Sequence, residues 1–301
     1  CAPKTKDGKH CTCTSPVVPL MGPSEPWWNS THSRNVKQAQ KQQGGDGDGN
    51  AGVSIVGLGD SIMERWSGTV MGTPLSNRDE YVKVYDELFR SSGRGDRHQR
   101  SRDGISNKNM EGMMLGIAGD QCPQLLYRIL NGEIPQSSSS AGSGSDGNHH
   151  PNQIFWLLIG TNDLDRGGCS KEAVLIGIIN IVDNIRNIRP DSIIVVNAIL
   201  PRHDFQYNDE ISWINQRLRC YATRTDHHDS PKGAAPAAAV SKIHFFNATK
   251  LFLNDQGTNV KESLMPDGVH PSVQGYRVWG QRIVDRAIYL LPRLSISLNN
   301  V

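Results

Sequence analysis

Apolar runs with the lengths of buried strands recur along the chain from residue 53 onward. The first, Val53-Ser54-Ile55-Val56-Gly57-Leu58, is rich in β-branched residues and stops at Gly59-Asp60-Ser61. A short apolar run that ends in glycine predicts a buried strand. Further runs predict strands over residues 113–117, 154–159, 193–196 and 243–246. The run 154–159 is continuously apolar, which indicates a central strand covered on both faces.

The segments between these runs have the spacing of amphipathic helices. Ser170 precedes a stretch through Ile188 whose apolar residues recur every three or four positions, so Ser170 is predicted to cap a helix. Other helices are predicted over residues 79–90, 121–130, 209–222 and 272–291. Strands that alternate with helices predict a parallel sheet in an α/β fold. We therefore predict one doubly wound domain over residues 51–295, built on a five-stranded parallel sheet.

Three regions lack this alternation. Residues 1–50 combine prolines with a Lys/Gln/Gly/Asp stretch, a composition that buries too little apolar surface to offset chain entropy. They are predicted to form a disordered or loosely docked N-terminal tail. Trp27 and Trp28 are expected to dock on the folded body, with exposed linker residues as the alternative. The Gly/Arg/Ser/Asp stretch 91–109 and the Ser/Gly stretch 136–150 are predicted to be flexible insertions.

Composition excludes some classes of partner. The formal net charge of +2 requires no acidic partner, so no nucleic acid is expected. No apolar run approaches the roughly 18 residues that span a bilayer, so no transmembrane segment is predicted in the visible chain. The oligomeric state cannot be predicted from these features.

Two features of the sequence bear on the cellular compartment of the protein. The chain begins at Cys1 rather than Met, and Asn29-Ser30-Thr31 and Asn247-Ala248-Thr249 are N-glycosylation sequons. A secreted or lumenal location is therefore expected, with the cytoplasm as the alternative. The 6 cysteines show no Cys-x-x-Cys or zinc spacing. Cys11 and Cys13 could form disulfides or remain free thiols.

Small polar signatures follow three of the predicted strands: Gly59-Asp60-Ser61, Gly119-Asp120 and Gly160-Thr161-Asn162-Asp163. The carboxyl ends of parallel strands share one edge of the sheet, where open α/β folds place their ligands. The loop after the fifth strand brings Asp267 and His270 to the same edge. We therefore expect these residues to converge although the sequence separates them widely.

The converging residues include the parts of a serine nucleophile. A free hydroxyl is a poor nucleophile near neutral pH, so Ser61 needs a base. His270 is the candidate, because an imidazole can take the serine proton and return it to a leaving group. Asp267, three residues earlier, is placed to orient the other ring nitrogen. Ser61, Asp267 and His270 are therefore the predicted catalytic residues.

Acyl transfer also needs hydrogen-bond donors for the oxyanion that forms on the carbonyl. The main-chain amide of Ser61, the main-chain amide of Gly119 and the side-chain amide of Asn162 would supply three. Glycine at position 119 permits close approach of the backbone to a substrate. Ser61, Gly119 and Asn162 are the predicted oxyanion hole.

These blocks resemble those of the SGNH/GDSL hydrolase superfamily. Within it the chain looks most like the catalytic subunits of the platelet-activating-factor acetylhydrolase type. The resemblance covers roughly residues 53 to 290, and its segments are 59–62, 116–120, 126–133, 160–163, 200–202 and 267–276. The Ser, Gly, Asn and His of that superfamily fall on Ser61, Gly119, Asn162 and His270.

The resemblance implies a three-layer α/β/α sandwich of the flavodoxin-like type, with no metal and no cofactor. It also implies hydrolysis of a small-molecule or lipid acyl ester through an acyl-enzyme, with acetyl suggested as the acyl group. A lysophospholipase or a carbohydrate acetylesterase of the same fold is an alternative. So is a non-catalytic binding protein that keeps the fold without the chemistry.

A dinucleotide site is disfavoured, because Gly57-Leu58-Gly59 lacks the third glycine of that fingerprint, where Ile62 stands. The Gly-x-Ser-x-Gly elbow of α/β-hydrolases is also missing.

Overall fold

A computed structural model describes residues 13–43, 53–90, 110–135, 153–203, 207–228 and 242–298. Its strands are β1 (Val53–Gly59), β2 (Thr69–Val70), β3 (Thr73–Pro74), β4 (Met110–Gly116), β5 (Gln153–Leu158), β6 (Ile193–Asn197) and β7 (Ile243–Phe246). Its α-helices are α1 (Pro26–Gln43), α2 (Ser61–Glu64), α3 (Arg78–Phe89), α4 (Cys122–Arg128), α5 (Thr161–Leu164), α6 (Lys171–Ile188), α7 (Asn208–His228), α8 (Thr249–Phe252) and α9 (Val273–Leu298).

The main sheet has five parallel strands in the order β4-β1-β5-β6-β7. The chain moves from β1 outward to β4 and then crosses to β5 on the other side of β1. This reversal is the switch point at which doubly wound folds form a crevice beyond the carboxyl ends of the strands. Strands β2 and β3 form a separate antiparallel hairpin. The predicted α/β fold with a five-stranded parallel sheet is confirmed.

Alternating side chains of the strands feed two cores, one on each face of the sheet. In β5, Phe155 and Leu157 belong to one core, whereas Ile154, Trp156 and Leu158 belong to the other. Helices α4, α6 and α7 cover the first face, and α3 and α9 cover the second. The three-layer α/β/α arrangement therefore follows from the period-two alternation of strand side chains.

The predicted helices are all present, and several of them differ from the prediction at their ends. Ser170 caps α6 as predicted, since its hydroxyl accepts the Ala173 amide at 3.3 Å. The predicted helix over 121–130 changes at Ile129 to a wider π-type turn over Ile129–Glu133. Helices α7 and α9 run several residues beyond their predicted ends.

Residues 26–43 of the N-terminal segment, expected to be disordered or loosely docked, form helix α1. One face of α1 is buried against the body of the protein, namely Trp28, Thr31, Asn35 and Ala39. Their spacing of three and four residues places them on one side of a helix, although the sequence around them is polar. The predicted insertions 91–109 and 136–150 lie outside the described residues, and the division of the chain into tail and domain stays a prediction.

Candidate active site

Ser61 lies at the tip of β1, as the first residue of α2. The Asp60 carboxylate caps this short helix by accepting the Ile62 amide at 2.9 Å. From the other side, the buried Tyr276 hydroxyl donates to the Ile62 carbonyl at 2.7 Å. Glycine at position 116 lets β4 pass close to this turn, because a Cβ there would lie 2.1 Å from the Glu64 nitrogen. The turn that carries Ser61 is thus held by contacts on three sides.

His270 reaches Ser61 from the loop after α8. Its Nε2 lies 2.8 Å from the Ser61 hydroxyl oxygen, and its Nδ1 lies 2.7 Å from an oxygen of Asp267. An ionised carboxylate only accepts, so Nδ1 carries the proton and Nε2 of the neutral imidazole accepts from the serine hydroxyl. The structure therefore brings together the three residues that the sequence analysis selected for proton transfer.

Asp267 is well supplied with donors although its side chain is 45% exposed. Its Oδ1 accepts the amides of Val269 and His270 at 3.0 and 2.7 Å, and Arg65 approaches Oδ2 at 3.5 Å. Partial burial acts to raise the pKa of Asp267, but the hydrogen bonds from the His270 side chain and amide outweigh it. The net result is a pKa well below the usual range, so Asp267 is an anion near neutral pH.

The main-chain amides of Ser61 and Gly119 both lack an acceptor within the described part of the chain. Gly119 has a φ of +84°, in the left-handed region that favours glycine. The buried Glu64 carboxylate accepts the Ala118 amide at 2.8 Å, and this bond holds the loop that carries Gly119. Both amides are therefore available to a substrate oxygen.

Asn162 lies in α5, beyond the carboxyl end of β5. Its side-chain nitrogen donates to the Asp120 carbonyl at 3.0 Å, and it lies 3.4 Å from an Asp60 oxygen. The second contact is at the long end of hydrogen-bond geometry. One amide hydrogen is thus fixed by Asp120, and the other is only weakly engaged.

Three buried carboxylates stand behind these donors. Burial raises the pKa of Asp60 to about 7, and of Asp120 and Asp163 to about 6 each. Each one is hydrogen-bonded: Asp60 to the Ile62 amide, Asp163 to the Cys122 amide at 2.9 Å and Asp120 to other side chains. They act as a framework for the loops at this edge.

Asp120 connects that framework to the N-terminal helix. It accepts from the buried Arg128 guanidinium at 2.7 Å and from the Trp28 ring nitrogen at 2.8 Å. Arg128 also pairs with buried Glu133, which contacts Asn35 at 3.2 Å. Helix α1 therefore completes a buried ion-pair network with two carboxylates. One of them belongs to Asp120, the residue that follows Gly119 in the chain.

Four of these supporting residues were not among the predicted site residues: Trp28 as a hydrogen-bond donor, Glu64, Arg128 and Glu133. Glu64 had a local signal, since it lies three residues after Ser61 in the turn that follows β1. A buried arginine or glutamate can be recognised only when its partners are known, because such residues are rarely buried unpaired.

No group of three or more His, Cys, Asp or Glu side chains among the described residues is arranged to hold a metal ion. None of the helices described is both long and apolar enough to cross a bilayer.

Comparison with known proteins identifies the class. The GDSL-like Lipase/Acylhydrolase family matches residues 58–278, which include the predicted catalytic and oxyanion residues. The chain belongs to this family. It is therefore an ester-hydrolysing enzyme.

Sequence identity to individual relatives is low. The chain is 25% identical to platelet-activating factor acetylhydrolase IB subunit alpha1 of Rattus norvegicus over 264 residues, which are 87% of this chain and 82% of that protein. A Streptococcus pneumonia protein described as a candidate platelet activating factor superposes with a TM-score of 0.54 and 18% identity, over 87% of this chain and 94% of that one. A GDSL-like lipase of Bacteroides thetaiotaomicron gives a TM-score of 0.50 and 15% identity, over 84% and 98%. These two structures support the fold.

Proposed function

We propose that the protein is a serine esterase that forms an acyl-enzyme on Ser61 and acts on esters of short acyl groups such as acetyl. The observation that carries this proposal is the chain of contacts from the Ser61 hydroxyl to His270 Nε2 at 2.8 Å and from His270 Nδ1 to Asp267 at 2.7 Å. An ionised acid, a neutral imidazole and a hydroxyl in this order can move a proton off the serine.

In the first half of the proposed reaction the Ser61 oxygen attacks the ester carbonyl carbon while its proton passes to His270 Nε2. The carbonyl oxygen becomes an oxyanion, which the amides of Ser61 and Gly119 and the Asn162 side chain stabilise. The carbon–oxygen bond to the alcohol then breaks. The alcohol leaves with the proton from His270, and the acyl group remains on Ser61.

In the second half a water molecule takes the place of the alcohol. His270 accepts a proton from the water, whose oxygen attacks the acyl carbon. The bond to Ser61 breaks, the serine oxygen recovers its proton from His270, and the carboxylic acid leaves. Asp267 stabilises the imidazolium that forms twice in each cycle.

The preference for a short acyl group is supported by likeness to the rat relative, whose name describes an acetylhydrolase. The substrate is a small-molecule or lipid ester.

The test uses the purified full chain with p-nitrophenyl esters of increasing acyl length. Turnover with acetate is expected, and it should fall at least about 10⁴-fold in Ser61→Ala. Ser33→Ala is the matched control, because Ser33 is exposed on α1. A rapid quench should yield protein whose mass is increased by one acyl group on Ser61.

Two results would overturn the proposal. One is a protein that hydrolyses no ester and takes no label from a serine-directed fluorophosphonate. The other is a Ser61→Ala variant that hydrolyses the ester as fast as the Ser33→Ala control. A preference for long over short acyl chains would overturn the acetyl assignment alone.

A further inference from the structure

An arginine with no partner among the described residues lies beside the proposed oxyanion hole. Arg166 is exposed and follows Asn162 by four residues. Its Nη1 is 3.2 Å from the point where a Cβ on Gly119 would stand. The guanidinium therefore lies next to the glycine whose amide is proposed to bind the substrate oxygen.

The backbone that carries Arg166 is fixed relative to Asn162. The amide of Gly167 donates to the Asn162 carbonyl at 2.9 Å, and the amide of Cys169 donates to the Asp163 carbonyl at 2.9 Å. Cys169 also forms a disulfide with Cys13. Because these contacts hold the segment on both sides of Arg166, the backbone of this residue has a defined position beside the proposed oxyanion hole.

Other arginines around the site are occupied by carboxylates. Arg128 pairs with Asp120, Arg202 with Asp165 at 3.1 Å, and Arg65 lies 3.5 Å from Asp267. Arg166 has neither an ion pair nor a hydrogen bond to any residue that the structure describes.

The acids that lie close to Arg166 in the chain are engaged elsewhere. Asp165 binds Arg202, and Asp163 is buried with the Cys122 amide. Among the described residues, no acid thus compensates the positive charge of Arg166. A guanidinium that has no carboxylate partner attracts anions and can bind a carboxylate or phosphate through two parallel hydrogen bonds.

We propose that Arg166 binds an anionic group, a carboxylate or a phosphate, that the ester substrate carries near its scissile carbonyl. This inference rests on the proposed function, because it places the anion relative to an ester bound at Ser61. It makes the enzyme selective for charged esters over neutral ones of the same shape. The anion belongs either to the alcohol part or to the acyl part of the substrate.

The test compares charged esters with neutral esters of similar size. In the first pair, 4-acetoxybenzoate carries a charge on its alcohol part and its methyl ester is neutral. In the second pair, mono-(4-nitrophenyl) succinate carries a charge on its acyl part and 4-nitrophenyl pentanoate is neutral. For each pair the ratio of kcat/KM, charged over neutral, is measured for wild type, Arg166→Gln, Arg166→Lys and Arg224→Gln. Intrinsic differences in ester reactivity cancel when one ratio is compared between variants.

Arg224 provides the matched control. It is also exposed, and it lies near the end of α7, which begins beside the carboxyl end of β6 and runs back along the sheet. It therefore lies toward the opposite edge from Ser61. Replacement by glutamine changes the net charge of the protein by the same amount as at Arg166.

For one pair, the ratio should fall about tenfold in Arg166→Gln, by loss of a charge-assisted hydrogen bond. The ratio for Arg166→Lys should lie between those of wild type and Arg166→Gln, because lysine keeps the charge but cannot form two parallel hydrogen bonds. Arg224→Gln should keep the wild-type ratio. The pair that responds identifies the part of the substrate that carries the anion. An unchanged ratio in both pairs overturns the inference, even if Arg166→Gln lowers the activity on charged and neutral esters alike.

Binding measurements separate this inference from the proposed function. If wild-type protein hydrolyses none of these esters, the proposed function fails. Equilibrium binding of the same pairs to Ser61→Ala, with and without Arg166→Gln, then decides the role of Arg166. Tighter binding of a charged ester that depends on Arg166 supports the inference, and equal binding of the charged and neutral esters overturns it.

Discussion

The two sides of the candidate site use aspartates in opposite environments. On the triad side, formed by Ser61, Asp267 and His270, the Asp267 side chain is 45% exposed. On the oxyanion side, formed by Gly119, Asn162 and the aspartates behind them, Asp60, Asp120 and Asp163 are at most 2% exposed. Aspartate is therefore partly exposed to solvent on one side of the site and buried in the protein interior on the other.

The charge state follows from this difference. Hydrogen bonds from His270 hold the pKa of Asp267 well below its usual range. Burial instead raises the pKa of Asp60 to about 7. An exposed anion can respond when the neighbouring imidazole gains a proton, whereas a buried carboxylate is costly unless its partners remain in place. The triad side is thus suited to proton transfer and the oxyanion side to rigidity.

Replacement of His270 by alanine should have the largest effect. Turnover of a short-acyl ester should fall about 10⁴-fold or more, because Ser61 loses its base. The free energy of unfolding should change little, since the His270 side chain is partly exposed and held by a surface loop. Steady-state kinetics and urea denaturation of the same preparation measure both quantities.

The companion variant Asp267→Asn should lose less activity than His270→Ala, because asparagine can still accept from His270 without stabilising its charge. Equal losses in the two variants would mean that the charge of Asp267 matters as much as the base itself. Wild-type activity in His270→Ala would refute the assignment of His270.

The second effect in size is expected for Asn162→Ala. Removing one oxyanion donor typically lowers kcat about 10²–10³-fold, and KM should change far less. The Asp120 carbonyl also loses a donor at 3.0 Å, so some stability should be lost, unlike in His270→Ala. A rise in KM with unchanged kcat would place Asn162 in substrate binding instead.

The smallest effect on turnover is expected for Trp28→Phe, which keeps an aromatic ring and removes the donor to Asp120. A hydrogen bond to a charged group contributes about 1.5–3 kcal/mol, so the free energy of unfolding should fall by about that amount. The turnover number should fall only a few-fold, because Trp28 acts through Asp120 and the loop of Gly119.

Trp27→Phe is the control for this variant, since Trp27 is the next residue on α1 and its ring nitrogen makes no hydrogen bond to a described residue. Urea unfolding and the separation of kcat from KM measure the two effects. A Trp28→Phe protein as stable as Trp27→Phe would show that α1 does not support the oxyanion side.

The sequence predicted the parts of the molecule that depend on local pattern. Apolar runs located the five strands, and the signatures at their ends selected Ser61, Gly119 and Asn162, because parallel strands finish at one edge. Asp267 and His270 were selected by type and order, since a hydroxyl needs a base and an imidazole needs an acceptor.

The buried polar network could not be predicted in this way. Helix α1 lies in a polar stretch, and its docking depends on Trp28 and Asn35 meeting Asp120 and Glu133. Those partners lie about 90 to 100 residues away in the chain. That Arg166 has no partner within the described part of the chain is equally non-local, because it depends on which cations the neighbouring acids bind.

The disulfide between Cys13 and Cys169 spans 156 positions of the sequence. Together with the backbone between them it closes a covalent ring that contains Ser61, Gly119 and Asn162 but excludes Asp267 and His270. A single cut of the backbone anywhere in that ring opens it without releasing a fragment. The N-terminal helix therefore stays attached to the segment that carries Asn162 even in a nicked molecule, for as long as the two sulfurs remain joined.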